Sequence, residues 1–172
     1  MSMGVTPAGM EVAIISDSHI PSRASHIPEP FEQRIRDADH VIHAGDFDSE
    51  GALSNVRSMS RHLTAVAGNM DPRVGLPEVA TLSLEGVEFV ITHGTGPSRG
   101  YEGRIAEAVR EHATGEDAVG VGGHTHEVLR TDYDGIRLLN PGSVTGASPA
   151  SRATMMTATV DDGTLDVEVH QR

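Results

Sequence analysis

The chain reads as an α/β protein in which two β-sheets pack face to face with helices on the outside. Three observations lead there. The first third alternates β-branched apolar runs with helical patterns, the pattern of parallel strands joined by crossover helices. Most of the remainder is paired apolar runs split by tight glycine turns, a hairpin pattern. Five of the apolar runs also end on a residue able to bind a metal, and in open α/β sheets ligands gather at the carboxyl ends of strands.

Residues 1–10 are small and polar and read as a loose N-terminal arm. Glu11 to Ser16 is continuous and β-branched, a strand buried on both faces, and it delivers Asp17-Ser18-His19. A loop with Pro21, Pro28 and Pro30 leads to a helix from Phe31 to Ala38, with Phe31, Ile35 and Ala38 on one face. Asp39 to Ala44 is the second strand and ends at Gly45-Asp46. A short helix over about 49–59 precedes the third strand, Leu63 to Ala67, which ends at Gly68-Asn69-Met70-Asp71. Val79 to Leu84 and Val87 to Thr92 form a hairpin across Glu85-Gly86, delivering His93-Gly94. Tyr101, Ile105, Val109 and His112 mark a helix. The run Ala118 to Val121 precedes Gly122-Gly123-His124-Thr125-His126. A hairpin across Asp134-Gly135 ends in Asn140-Pro141-Gly142-Ser143, and two last strands turn at Asp161-Asp162-Gly163. There is no internal repeat, linker or low-complexity segment.

A chain of 172 residues is expected to form one domain, 1–172, burying roughly 70% of its unfolded surface. Cysteine is absent, which excludes disulfides, zinc ribbons, iron–sulfur clusters and thiol chemistry. Any metal is therefore held by His, Asp, Glu or Asn. No signal peptide or membrane-length apolar run is visible, so a cytoplasmic protein without membrane partners is the expectation. The net charge of −12 argues against strong nucleic-acid binding. All 13 basic residues are Arg, a composition that fits a salt-adapted surface or, equally, a genome that favours Arg codons. With three Phe, two Tyr and no Trp there is little to stack a nucleotide base.

Seven residues stand at strand ends: Asp17, His19, Asp46, Asn69, His93, His124 and His126. Singly, each has an ordinary reading as a turn, cap or hydrogen-bonded residue. Together, most of them in Gly- or Ser-flanked turns, they are poorly explained by chance. The His124-x-His126 pair places both rings on one side if the strand continues through it, with Thr125 pointing away. Carboxylate and amide oxygens mixed with imidazoles suit Mn, Fe, Ni, Co or Zn. Two such ions, roughly 3.5–4 Å apart, can share a carboxylate and a hydroxide that attacks phosphorus. Seven donors with one shared give four bonds to each ion. Other scaffolds fit worse. A (β/α)₈ barrel needs about 250 residues, and neither an H-E-x-x-H motif nor a G-x-S-x-G elbow is present.

The ordered series Asp17-x-His19, Gly45-Asp46, Gly68-Asn69-x-Asp71, His93-Gly94 and Gly123-His124-x-His126 resembles the calcineurin-like metallophosphoesterases. It is most similar to their small single-domain branch of bacterial and archaeal phosphodiesterases, and Asn140-Pro141-Gly142-Ser143 is also typical of that branch. The resemblance implies a four-layer α/β/β/α sandwich of two mixed β-sheets flanked by helices, with a binuclear centre. It implies that Asp17, His19 and His126 hold one ion, that Asn69, His93 and His124 hold the other, and that Asp46 bridges. Asp71 would orient the loop beside Asn69. The implied cofactors are two divalent ions, Mn first, with Ni, Fe, Co or Zn as alternatives. The implied substrate is a small phosphate ester, more a diester than a monoester, with self-association left open.

One departure matters. Many relatives carry His where this chain has Met70, and the small branch often has Cys. Methionine cannot protonate a leaving oxygen, a loss of about 10²–10⁴-fold where the leaving group is poor. Activated esters are then favoured, with His26 or water as the substitute acid; Met70 as a plain apolar contact is the equal alternative. His40, His62, His112 and His170 read as ordinary surface or partly packed residues, and His43 as core or as support behind the ligands. The rival function is a protein-binding scaffold of the same fold that has lost catalysis, as in the retromer subunit of similar fold. A DNA nuclease is disfavoured by the acidic balance.

Overall fold

The computed structural model describes residues 9–72 and 74–172. In chain order the elements are β1 Met10–Ile15, α1 Glu29–Asp37, β2 His40–His43, α2 Glu50–Met59, β3 Leu63–Ala65, β4 Val79–Leu84 and β5 Val87–Thr92. They continue with α3 Tyr101–His112, β6 Val119–Val121, β7 Val128–Tyr133, β8 Ile136–Pro141, β9 Thr154–Asp161 and β10 Thr164–Gln171. Of the expected arm, residues 1–8 lie outside the described residues, and Met10 already pairs with Val160 in β1.

The strands form two five-stranded sheets, β10-β9-β1-β2-β3 and β4-β5-β6-β8-β7. Both are mixed, as expected. In the first, β1, β2 and β3 run parallel and the β9/β10 hairpin joins antiparallel. In the second, β5, β6 and β8 run parallel between the antiparallel edges β4 and β7. The parallel centre of the second sheet was not visible in the hairpin pattern, because the strand that creates it, β6, has only three residues.

Alternation along β1 explains its unbroken apolar run. Val12 and Ile14 face the space between the sheets, where they meet Phe89, Ile91, Val121, Leu139 and Met156. Ala13 and Ile15 face the other way, onto Phe31 and Ile35 of α1 and Val56 and Met59 of α2. On the far side Tyr101, Ile105 and Val109 of α3 cover Leu138 and Val90. The result is the helix/sheet/sheet/helix layering that two half-buried sheets require.

Local chemistry sets the helix starts. α1 begins at Glu29, two residues before the expected Phe31, because Pro30 falls in the first turn, where a missing N–H costs nothing. Ser49 caps α2 by accepting the Ala52 N–H at 3.1 Å. The three hairpins close through Glu85-Gly86, Asp134-Gly135 and Asp162-Gly163, both residues of each with positive φ. That is the mirror-image turn which matches strand twist.

Candidate metal centre

The parallel strands of both sheets end at one edge of the sandwich, and the loops leaving them carry the candidates. Backbone bonds stitch these loops together: Asp17 N–H to Gly45 O at 2.9 Å, His19 N–H to Asp46 O at 3.0 Å, and Gly123 N–H to His93 O at 3.1 Å. Asp17, His19, Asp46, Asp48, His124 and His126 all have φ between 45° and 75°. Left-handed backbone at non-glycine residues costs about 1 kcal/mol or more each and persists only where the surroundings hold it.

Two donor groups that contain imidazoles result, beside an all-carboxylate set of Asp46, Asp48 and Asp71. Asp17, His19 and His126 offer donor atoms mutually within 4.8 Å, and so do Asp46, His93 and His124. In the first, His19 Nε2 lies 3.2 Å from His126 Nε2, and Asp17 Oδ1 lies 3.5 Å from His126 Nε2 and 3.8 Å from His19 Nε2. Asp46 belongs to both by distance: its Oδ2 is 3.1 Å from His93 Nε2 and 3.6 Å from His19 Nε2. Its other oxygen is occupied by the Met70 N–H at 2.8 Å. The His-x-His expectation needs correction. β6 stops at Val121 and both histidines adopt left-handed backbone, so the pair is not extended. The turns send one ring to each group, His124 edge-on to His93 and His126 beside His19.

The imidazoles are poised to give up lone pairs. His93 Nδ1 donates to Ala44 O at 2.7 Å and His126 Nδ1 to Ala147 O at 2.8 Å. His124 uses the other nitrogen, Nε2 to Gly96 O at 2.9 Å. His19 Nδ1 faces both oxygens of Asp48 at 2.9 and 3.0 Å. A carbonyl or carboxylate can only accept, so those ring nitrogens carry protons, and in the neutral rings the opposite nitrogens are bare. The buried His93 Nε2 makes no well-aligned hydrogen bond and faces Asp46 Oδ2 at 3.1 Å. Bare imidazole nitrogens facing carboxylates in a buried setting are what a divalent cation requires, and the donor set fits one.

Asn69 stands at the rim. It is exposed and lines a cleft of about 380 Å³ together with His93, Thr92, Glu78 and Arg104. Asp71 ties two loops: it accepts the N–H groups of Asp46 and Asp48 at 2.8 Å and of Gly68 at 2.7 Å. The close approach demands glycine at 68, where a Cβ would overlap the Asp46 carboxylate, and at 123, where it would sit 2.9 Å from Asp17 Oδ2. Met70 is 47% exposed, with its backbone N–H held by Asp46 Oδ1. His26 is exposed and pairs with its neighbour Ser25. His40, His62, His112 and His170 fall outside both donor groups.

Residues beyond the seven support the donors, and Asp48 is one that the sequence reading missed. Asp48 fixes the His19 ring, and the only signal was a second carboxylate two residues after Asp46. Asn140 Nδ2 lies 3.0 Å from Tyr101 Oη, Gly123 O and Thr125 Oγ1, bracing the turn that carries both histidines. Ser143 Oγ donates to Asp17 O at 2.7 Å. The Asn140-to-Ser143 motif thus supports the centre from behind. His43 does too, its Nδ1 accepting the Gly45 N–H at 3.1 Å.

Electrostatics agree. Burial alone would depress the His93 and His126 imidazoles, but the Asp46 and Asp17 carboxylates override it and raise both. Burial opposes the charge on Asp46, yet His93 and the Met70 N–H hold its carboxyl below the usual range. The cluster therefore attracts positive charge. Full burial pushes His43, one step behind, down to about 4.

The sandwich and its donor-lined edge define a metal-binding domain of the two-sheet class. The chain belongs to the calcineurin-like phosphoesterase superfamily, whose domain model matches residues 10–163. A probable metallophosphoesterase of Methanothermobacter thermautotrophicus is 32% identical over 162 residues, 93% of this chain and 91% of the relative. Among solved structures, vacuolar protein sorting 29 of Cryptosporidium parvum superposes with a TM-score of 0.77 at 20% identity, covering 96% of this chain and 99% of that one. Vps29 of Entamoeba histolytica, in complex with zinc, does so with a TM-score of 0.68 at 25% identity, covering 94% and 99%. The family makes the chain a metal-dependent phosphoesterase. Among the described residues, no helix is long and apolar enough to cross a membrane.

Proposed function

We propose that this chain is a phosphodiesterase acting on a small phosphate ester at a centre of two divalent ions. The observation that carries the reading is the set of four imidazoles whose hydrogen-bond partners leave one bare nitrogen each, arranged around Asp17 and Asp46. Asp17, His19 and His126 would hold one ion, and Asn69, His93 and His124 the other, with Asp46 Oδ2 shared. The oxygen-and-imidazole set suits Mn, with Ni, Fe, Co or Zn as alternatives. Such ions supply Lewis acidity and lower the pKa of water towards neutrality.

The chain's own residues do the rest. Asp48, Ala44 O, Gly96 O and Ala147 O fix the imidazole tautomers, so each neutral ring presents its free nitrogen to the donor group, and a proton held there by the raised His93 or His126 is displaced on binding. Asp71 locks the Asp46 and Gly68 loops in one geometry. Asn69 and His93 border the cleft through which an ester would enter. With methionine at position 70 and His26 exposed beside Ser25, water is left to protonate the leaving oxygen, which favours stabilised leaving groups. The test is hydrolysis of bis-(p-nitrophenyl) phosphate by chelator-stripped protein after adding Mn, Ni or Zn. Turnover restored by one of these metals is expected, and none with any metal overturns the reading.

The second reading is a protein-binding scaffold, favoured by the likeness of fold to Vps29. Against it stands the unbroken donor set. A chain that binds metal yet turns over no diester would favour the scaffold. Cytoplasmic residence remains part of the proposal, as does the absence of strong nucleic-acid binding, which rests on the charge of −12.

A further inference from the structure

We infer that Arg104, in the first turn of α3, is a positioning residue for the second donor group, acting on His124 through the loop between His93 and α3. The inference rests on the two-ion reading above. Among the described residues only two buried side-chain polar atoms make no well-aligned hydrogen bond, His93 Nε2 and Arg104 Nε, and both residues line the same cleft.

The guanidinium is wrapped by the loop. Its Nη2 donates to Gly94 O at 3.1 Å and Pro97 O at 2.7 Å, and its Nη1 to Arg99 O at 3.3 Å. The wrap is tight enough that a Cβ on Gly96 would meet Arg104 Cζ at 2.8 Å, and Gly96 itself has φ of 138°. Gly96 O, held in the middle of that wrap, accepts the His124 Nε2 proton at 2.9 Å. That bond decides which nitrogen of His124 is bare and where the ring points. No carboxylate pairs with Arg104 among the described residues, so its charge is spent on carbonyls. Its Cζ also lies 5.9 Å from the centre of the Tyr101 ring, whose hydroxyl donates to Gly123 O at 2.6 Å, immediately before His124. One side chain therefore braces His124 through its ring and through its backbone.

The first donor group meets His124 through its backbone, whose N–H donates to Asp17 Oδ2 at 3.0 Å, but its two imidazoles are anchored elsewhere. His126 is fixed by Ala147 O and His19 by Asp48. The role is thus local, which separates it from a general stabilising contact. Groups that orient a metal ligand typically contribute about 10–100-fold in affinity, and a planar fork spanning three carbonyls has no equivalent in Lys or Met.

The experiment titrates chelator-stripped protein with Mn²⁺, counting ions by calorimetry and by loss of the free-Mn²⁺ EPR signal, with circular dichroism as the check on folding. Wild type is expected to take two ions. Arg104→Met is expected to bind the first as wild type does and the second about 10–100-fold more weakly. An unchanged second affinity in a folded variant, or equal weakening of both ions, overturns the role. Should Arg104→Met fail to fold, Gly96→Ala disturbs the same wrap without removing the helix residue, and the same selective loss is required of it. A wild type that takes fewer than two ions overturns the two-ion reading and the Arg104 role with it. Two ions in both proteins, equally held, overturn Arg104 alone.

Discussion

The two ends of the sandwich use the same unusual backbone for opposite reasons. At the end away from the metal centre, Glu85, Asp134 and Asp162 have φ of 47–49°, each followed by a glycine in a two-residue hairpin turn. Two of those turns touch, with Gly163 N–H donating to Glu85 O at 2.7 Å. At the donor end, six non-glycine residues take the same conformation without a hairpin to demand it. There the backbone is held by a polar network: Asp71, His43, Asn140, Ser143 and the carbonyls that fix the imidazoles. At one end the turn selects the residue. At the other, the donor atom selects it, and the network keeps the backbone in place around it.

The comparison breaks most sharply at Asp46. If its carboxylate is the oxygen shared by both groups, Asp46→Asn weakens both ions and lowers diester turnover on the order of 10²–10³-fold. The fold should survive, because Asn still accepts the Met70 N–H and still tolerates left-handed backbone. Steady-state kinetics at saturating Mn²⁺ beside a thermal melt would decide it. Near-normal turnover would show that the two groups do not share this oxygen.

A second break uses acid. His43 is fully buried with its pKa pushed down to about 4 by desolvation. Its Nδ1 accepts the Gly45 N–H and its Nε2 faces Ser18 Oγ at 3.3 Å, so the folded state holds it neutral. Between pH 6.5 and 4 the unfolded chain binds this proton and the folded chain does not. Stability from His43 is therefore complete above pH 6.5 and is lost as pH falls towards 4, a loss of about 3 kcal/mol. Urea unfolding of chelated protein at pH 7 and pH 4, for wild type and His43→Gln, isolates that slope as the difference between them. Parallel slopes would mean that folding leaves the His43 pKa where it is in the unfolded chain.

The contrast between the ends also explains what could be read from the chain. The far-end turns were legible because Asp134-Gly135 and its counterparts encode their own geometry in two residues. The layers were legible because strands such as β1 are apolar on both faces. The donors were legible as an ordered series at strand ends, whereas their geometry was not. Strand period said that His124 and His126 point the same way, and only the tertiary network turns them apart. Asp48, Tyr101 and Arg104 were missed for the same reason. Each acts on a residue distant in sequence through a carbonyl or a ring nitrogen, and such contacts leave no local pattern.

The smallest prediction tests the far end. If Glu85-Gly86 is a mirror-image turn whose first residue is chosen for backbone alone, a residue better suited to positive φ should improve it. Glu85 is exposed and sits at φ 49°, a conformation Asn adopts more readily than Glu. Glu85→Asn should raise stability by about 0.5 kcal/mol, seen as a melting temperature roughly 1–2 °C higher. Metal binding and turnover should not move. A lower melting temperature would mean that the Glu side chain does more than the turn requires. That result would also remove the distinction between an end built for backbone and an end built for donors.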